Sequence, residues 1–308
     1  MLQVNNISFS YQKETFIENL SFKVEKGATL ALIGESGCGK STLLKLLYGI
    51  HDLQNGTLFW NETEILGPKY NLIPGANFMK YLAQDFDLMP FITVAENVGK
   101  FLSNVNLTKK KERINELLEV VEMTEFSNTK AKNLSGGQMQ RIALARVLAL
   151  QPEVLLLDEP FSHIDNFRKN SLRRNLFSYL KKNQITTLIA THDSTDVLSF
   201  ADQVVVIQKG KIIAHDTPEA VYKYPKNKYI ASLFGDVNEI EIDGEQKLIY
   251  PQQLKLVKES KLKVVVENCY YRGHYYLIEA KLKNQVVYFE NNEILIIGDK
   301  VCIYLREK

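Results

Sequence analysis

Four short apolar runs set the frame of the first two-thirds of the chain. Thr29-Leu30-Ala31-Leu32-Ile33 stops at Gly34, and Val154-Leu155-Leu156-Leu157 stops at Asp158. Thr186-Thr187-Leu188-Ile189-Ala190 and Val204-Val205-Val206-Ile207 complete the set. The Val154 run is continuous enough for a strand buried on both faces. Between these runs the period changes. Ile114, Leu117, Leu118 and Val121 fall on the i, i+3, i+4, i+7 stripe of an amphipathic helix. Further helices are predicted from about Lys40 to Tyr48, from Met139 to Leu150, and from Phe167 to Lys182, the last with Leu172, Leu176, Tyr179 and Leu180 on one face. Strands alternating with helices predict an α/β domain built on a largely parallel sheet.

After Phe234-Gly235 the texture changes. Lys263–Val266, Tyr275–Glu279, Gln285–Phe289 and Val301–Leu305 are short β-rich runs, with turn signals at Asp243-Gly244 and Arg272-Gly273. The expected organisation is a first domain over residues 1–235, with a helical section at about 88–150, and a small β-barrel over 236–308.

A chain of 308 residues is long enough for two such domains. Its net charge of +2 and 45% hydrophobic content are those of an ordinary soluble protein. Nucleic acid is not expected as a partner, because such domains usually carry a basic excess. The three cysteines, Cys38, Cys269 and Cys302, have neither metal-ligand spacing nor a disulfide framework, which points to a reducing compartment. The first residues lack the basic patch and apolar core of a signal peptide. No apolar run approaches the ~20 residues that span a bilayer, so the chain is not expected to cross a membrane itself.

Gly34-Glu35-Ser36-Gly37-Cys38-Gly39-Lys40-Ser41 follows a predicted strand and opens a predicted helix. That is the G-x-x-x-x-G-K-[ST] phosphate loop in the context it requires. Its glycines let backbone N–H groups turn toward phosphate oxygens, and the helix N-terminus adds partial positive charge. Lys40 is placed to reach the β- and γ-phosphates of a nucleotide and Ser41 to hold Mg²⁺. Asp158 closes the Val154 strand, where a carboxylate can hold the metal shell. Glu159 directly after it suits a general base for the attacking water. Leu134-Ser135-Gly136-Gly137-Gln138 precedes a strong helix. Ser135 can cap that helix, and the glycines leave its N–H groups uncovered, making a second anion cradle. Capping accounts for Ser135 but is not expected to account for Gly136, Gly137 and Gln138.

Taken together, the phosphate loop, Ser135 to Gln138, Asp158-Glu159 and His192 in Thr191-His192-Asp193 make the chain resemble the ATP-binding subunits of ABC transporters. The resemblance covers residues 1–235, with each motif present once and in order. It implies ATP and Mg²⁺ as cofactors and a homodimer in which each ATP is held between two copies. It also implies roles for single residues. Tyr11 would stack on adenine, and Gly34, Ser36, Gly37, Cys38, Gly39, Lys40, Ser41 and Thr42 would hold the phosphates. Gln84, with Ser41 and Asp158, would contact Mg²⁺ and the water. His192 would sense the γ-phosphate, Ser135 to Gln138 would bind the partner's ATP, and Asp165 would lie in the loop crossing the dimer seam. Glu35 and His163 depart from the usual pattern, and residues 61–80 match none.

The tail refines this. Pro218-Glu219-Ala220-Val221-Tyr222, Tyr224-Pro225, Phe234-Gly235 and Asn238 resemble the end of the nucleotide domain in bacterial importers that carry an OB-like C-terminal domain. Those importers serve sugars, polyamines, ferric iron and sulfate. The resemblance implies membrane permease subunits, an external solute-binding protein, and a peripheral place on the cytoplasmic face of the membrane. The alternatives are an exporter ATPase or a soluble ABC protein. Tyr270, Tyr271, Tyr275 and Tyr276 raise a nucleic-acid reading of an OB-like fold. However, residues 236–308 hold eleven Lys and Arg against twelve Asp and Glu, which offers no electrostatic funnel for phosphates.

Overall fold

Strands whose side chains are apolar on both faces need cover on both sides, and the first part of the chain supplies it. The computed structural model describes residues 1–11, 14–83 and 85–305. The chain opens with β1 (Leu2–Tyr11), β2 (Glu14–Val24), β3 (Thr29–Ile33), α1 (Lys40–Leu47), β4 (Asn55–Trp60), β5 (Thr63–Glu64) and β6 (Met79–Leu82). Helices α2 (Val94–Gly99), α3 (Leu107–Val120) and α4 (Gly136–Leu148) follow. Then come β7 (Val154–Asp158), α5 (Asn166–Lys182), β8 (Thr186–Ala190), α6 (Ser194–Phe200), β9 (Gln203–Gln208) and β10 (Lys211–Asp216).

Two sheets result. One is antiparallel, in the order β2-β1-β4-β5; the other runs β10-β9-β3-β8-β7-β6, parallel except for the β10 edge. Every residue of β3, β7 and β8 is buried. Helix α1 fills the space between the sheets: Leu43, Leu44 and Leu47 share one core with Leu2, Ile7 and Leu20 of the antiparallel sheet and Leu30, Leu156 and Leu188 of the parallel one. Because β3, β8 and β7 are neighbours, the loops leaving their C-terminal ends emerge side by side. Ligands of open α/β sheets bind along that edge.

In the helical section, Ile114, Leu117 and Leu118 of α3 are buried, as the stripe predicts. Arg113 on the same helix donates to the carbonyls of Leu148 (2.7 Å) and Ala149 (3.3 Å), satisfying the open C-terminal end of α4. Helix α4 begins three residues before the expected Met139. Ser135 caps it and Gly136 and Gly137 form its first turn.

Contacts divide the chain into two compact units, Met1–Glu219 and Ala220–Lys308. The second unit contains most of α7 (Pro218–Lys223), then α8 (Lys228–Ser232), β11 (Asn238–Ile242), β12 (Glu245–Ile249), β13 (Leu254–Val257), β14 (Leu262–Tyr271), β15 (Tyr276–Leu282), β16 (Gln285–Asn291) and β17 (Lys300–Leu305). Residues 220–235, which the sequence reading groups with the first domain, thus belong by contact to the second. Tyr222 stacks on Tyr250 with centroids 4.6 Å apart, and the Tyr250 hydroxyl donates to the Ala231 carbonyl.

The β-rich tail forms an antiparallel sheet in the order β13-β17-β14-β15-β16, together with a separate β11-β12 hairpin. Asp243 and Gly244 both have positive φ, 51° and 86°, as a two-residue hairpin turn requires. End strands β13 and β16 come into contact, so the sheet is strongly curled. Asn238 joins the hairpin to β16 by exchanging two 2.7 Å hydrogen bonds with the Tyr288 backbone. Ile240 and Ile249 complete a core with Val264, Ile278, Phe289 and Ile303. Among the described residues, no helix is long and apolar enough to cross a membrane.

Leu156 lies in the middle of β7, an inner strand of the parallel sheet, with no exposed surface. Leu156→Ala is expected to cost about 2–5 kcal/mol of stability, through lost burial and the cavity left behind. Urea unfolding of the two proteins measures the difference.

Candidate active site

The phosphate loop joins β3 to α1 through a tight turn at Ser36 and Gly37, closed by the Cys38 N–H donating to the Glu35 carbonyl at 3.3 Å. Gly37 and Gly39 hold φ of 78° and 115°, backbone conformations that a residue with a Cβ adopts only under strain. Glu35, Ser36 and Gly37 form the exposed crest, while Gly34, Cys38, Gly39, Lys40 and Thr42 are buried beneath it. The Lys40 ammonium lies inside the loop and donates to the carbonyls of Gly34 (2.8 Å) and Glu35 (3.0 Å). Tyr11 stands at the side of the loop. Its hydroxyl is 3.3 Å from Thr42 Oγ1, and its ring makes edge contacts with Phe9, Phe16 and His51 while staying partly exposed.

Strand β7 ends against this loop. Ser41 Oγ donates to Asp158 Oδ1 at 2.9 Å, and the Tyr81 hydroxyl of β6 donates to Oδ2 at 3.2 Å. Burial pushes the Asp158 carboxyl above its ordinary value, and the two hydroxyl bonds pull partly the other way. Burial and the neighbouring carboxylate push the Tyr81 phenol up in turn, so it stays a donor. Sequence reasoning missed Tyr81, which carries no motif; its only signal is a place on the strand beside Asp158.

Glu159 follows with φ of 49° and donates its N–H to the Ala190 carbonyl at the end of β8. That turn directs its side chain toward the next loop, where His192 Nδ1 lies 3.3 Å from Glu159 Oε1. His192 is 68% exposed and so can face a ligand. Its neighbours are fixed. Asp193 caps α6 and pairs with Arg173 of α5 at 2.5 Å, while Thr191 donates to the buried Asp196 at 2.6 Å. Arg173 Nε also approaches Asp196 to 2.6 Å. Although burial works against it, the bonds from Arg173 and Thr195 hold the Asp193 carboxyl below its ordinary value.

The structure therefore brings together Ser41, Lys40, Asp158, Glu159 and His192 on adjoining strand ends, with Tyr11 beside the loop. Gln84 lies outside the described residues. Asp165 is exposed at the start of α5, after the loop 159–164.

At the N-terminus of α4 the geometry corrects one expectation. Ser135 Oγ accepts from the Gln138 N–H at 3.3 Å, and Gln138 Oε1 accepts from the Ser135 N–H at 2.9 Å. This reciprocal pair is a capping box, so capping accounts for Gln138 as well as Ser135. It leaves the glycines to be explained. A Cβ on Gly136 would meet no heavy atom within 4 Å, whereas one on Gly137 would lie 2.6 Å from the His163 carbonyl. One glycine keeps the helix end open and the other permits close packing on the loop before α5.

A strand-to-helix phosphate loop whose serine bonds a carboxylate at a neighbouring strand end is the arrangement of a P-loop nucleotide hydrolase. Residues 17–162 match the ABC transporter family. The chain is 29% identical over its whole length to the Fe(3+) ions import ATP-binding protein FbpC 2 of Haemophilus influenzae, covering 96% of that protein. It is 32% identical over 92% of its length to the spermidine/putrescine import ATP-binding protein PotA of Pasteurella multocida, covering 79% of it. Among solved structures, the dimeric bacterial ABC transporter cassette MJ0796 matches 71% of this chain and 99% of its own, with a TM-score of 0.63 and 24% identity. The chain belongs to the ABC transporter ATP-binding family, with the import subunits, and it is an ATPase.

Asp158 sets a trade-off between stability and activity. A carboxyl whose folded pKa is raised favours the native state fully below its unfolded value of 3.8, and that benefit is lost as pH rises through the folded value. At pH 7 the buried charge is a cost, so Asp158→Asn should stabilise the protein by about 0.5–2 kcal/mol while ending hydrolysis. The gain should shrink as pH falls toward 4. Unfolding curves at pH 4 and pH 7, with an ATPase assay, check both halves.

Proposed function

We propose that this chain is the ATP-hydrolysing subunit of a bacterial solute importer and works as a homodimer on the cytoplasmic face of the membrane. ATP would enter beside Tyr11, its phosphates against the backbone N–H groups of residues 34–42. Lys40, now bonded to loop carbonyls, would exchange those partners for phosphate oxygens. The adjoining oxygens of Ser41 and Asp158 suit a hard divalent cation, which binds oxygen ligands, and Gln84 would add a third. Bound there, Mg²⁺ would neutralise phosphate charge. Glu159 would take the proton of the attacking water. His192, held opposite it, would bond the γ-phosphate and register its departure.

What supports a site shared between two copies most directly is the open end of α4. Helix N-termini attract anions, by about 0.3–1 kcal/mol when exposed and up to ~2 kcal/mol when partly buried. This one is uncovered at Gly136 and capped at Ser135 by its own chain. A second molecule would bring the missing anion, the γ-phosphate on its own phosphate loop. Closure would then depend on a charge that hydrolysis removes.

Coupling to permease subunits would pass through the segment after Gln84. Asn97, fully buried in α2, accepts from the Met89 N–H and donates to the Met89 carbonyl, while Arg146 of α4 donates to the carbonyls of Phe86 and Asp87. The segment is thereby attached to both α2 and α4. Next to it, Phe91 is 73% exposed and Met89 is partly so, an apolar surface suited to a helix from a membrane subunit. The import names of the relatives favour uptake over export. A solute-binding protein outside the membrane belongs to the same proposal.

Glu159→Gln keeps the shape of the site but removes the base. Hydrolysis should fall at least ~100-fold, the lower range for loss of a general base, while ATP binding persists and a dimer accumulates. Light scattering with and without ATP, beside a steady-state assay, measures it. Normal turnover, or a monomer at saturating ATP, contradicts the assignment.

A further inference from the structure

Gln140 lies on α4 one turn beyond Gly136, only 2% exposed, with both ends of its amide engaged. Nε2 donates to the Glu159 carbonyl at 2.9 Å and to Ser162 Oγ at 3.3 Å, and Oε1 accepts from the His163 N–H at 3.0 Å. Ser162 Oγ donates to the same Glu159 carbonyl at 3.0 Å. These partners fix which end of the amide is nitrogen, since a carbonyl can only accept and an N–H can only donate.

The residue so held is strained. Glu159 has φ of 49°, a left-handed conformation for a residue with a side chain. Such residues persist only where their surroundings over-determine them. Here the surroundings are four bonds: the Glu159 N–H to Ala190, and on its carbonyl the Ser162 N–H, Ser162 Oγ and Gln140 Nε2, the last being the one of these carbonyl donors that comes from α4. The carboxylate that faces His192 thus depends for its aim on a side chain from α4, whose first turn is the open anion cradle.

We propose that Gln140 is a positioning residue that couples the two ATP sites of the dimer, linking the cradle seated on the partner's nucleotide to the Glu159 of its own chain. The inference rests on the two-copy arrangement proposed above. A helix turn is rigid, and the close contact of Gly137 with the His163 carbonyl leaves no slack between α4 and the loop before α5. A shift of α4 as the cradle meets the γ-phosphate must therefore move the Glu159 carbonyl and the 162–163 loop together. Each site then becomes competent when the other is filled.

The test uses the full chain carrying Gln140→Glu, which keeps the acceptor for His163 but replaces the donor to Glu159, and Gln140→Ala. Each is also built into Glu159→Gln. The unaltered chain should show hydrolysis rising more steeply than a hyperbola with ATP. Both variants should lose about 100-fold in kcat, as a misplacement near 1 Å does, with half-saturation little changed and a Hill coefficient falling to one. In the Glu159→Gln background they should still dimerise with ATP. A hyperbolic response from the unaltered chain, a steep response kept by the variants, or a kcat near the unaltered value overturns the proposal. So does loss of the ATP-dependent dimer or of thermal stability in Gln140→Glu, which would make Gln140 a packing residue. If Glu159→Gln alone stays monomeric with ATP, the two-copy arrangement itself fails, and the coupling with it.

Discussion

The 2.9 Å hydrogen bond between Ser41 and Asp158 is the contact on which the site depends. It joins the first turn of α1 to the end of β7, elements 117 residues apart in sequence. Neither can shift without the other, because α1 is packed between two sheets and β7 is buried along its whole length. A buried carboxylate bonded by two hydroxyls is costly in a folded protein. Its retention at the mouth of a phosphate loop makes sense where a cation and phosphates supply the missing charge.

From that contact the remaining geometry follows by strand order. With β8 between β3 and β7, the loop that carries His192 is forced between the phosphate loop and Glu159. Arg173 then locks the histidine's neighbours from the side of α5, the helix that Asp165 immediately precedes. Helix α4 reaches the same place from the helical section, through Gln140. Three separate elements thus converge on one carboxylate. In this structure the aim of the Glu159 side chain is a property of the packing around it.

Much of this could be read in the sequence. The limits of β3 and β8 coincide with the apolar runs, because a strand buried on both faces has no polar position to blur its ends. The phosphate loop, Asp158, Glu159 and His192 were legible because their spacing is tied to strand ends. The start of α4 was not, since glycines count against a helix and only the reciprocal Ser135–Gln138 capping admits them to its first turn. Tyr81, Gln140 and Arg173 were also hidden. Each bonds a partner between 19 and 77 residues away, and nothing local distinguishes a tyrosine, glutamine or arginine with such a partner. The attachment of residues 220–235 to the second unit draws on the Tyr222–Tyr250 stack and the Tyr250–Ala231 hydrogen bond, again long-range contacts.

The central claim is that one nucleotide site is built from two copies of the chain, and mixing two inactive variants tests it most directly. Lys40→Ala disables the phosphate loop, and Ser135→Arg blocks the open end of α4. Each variant alone should be inactive. In a mixed dimer, the phosphate loop of the Ser135→Arg copy meets the intact α4 of the Lys40→Ala copy, so one undamaged site is restored and ATP hydrolysis should return. It should run at the rate of a site uncoupled from its partner, about 100-fold below that of the unaltered dimer. If the mixture stays as inactive as its parts while unaltered chain is active under the same conditions, each site is complete within one copy and the account is wrong.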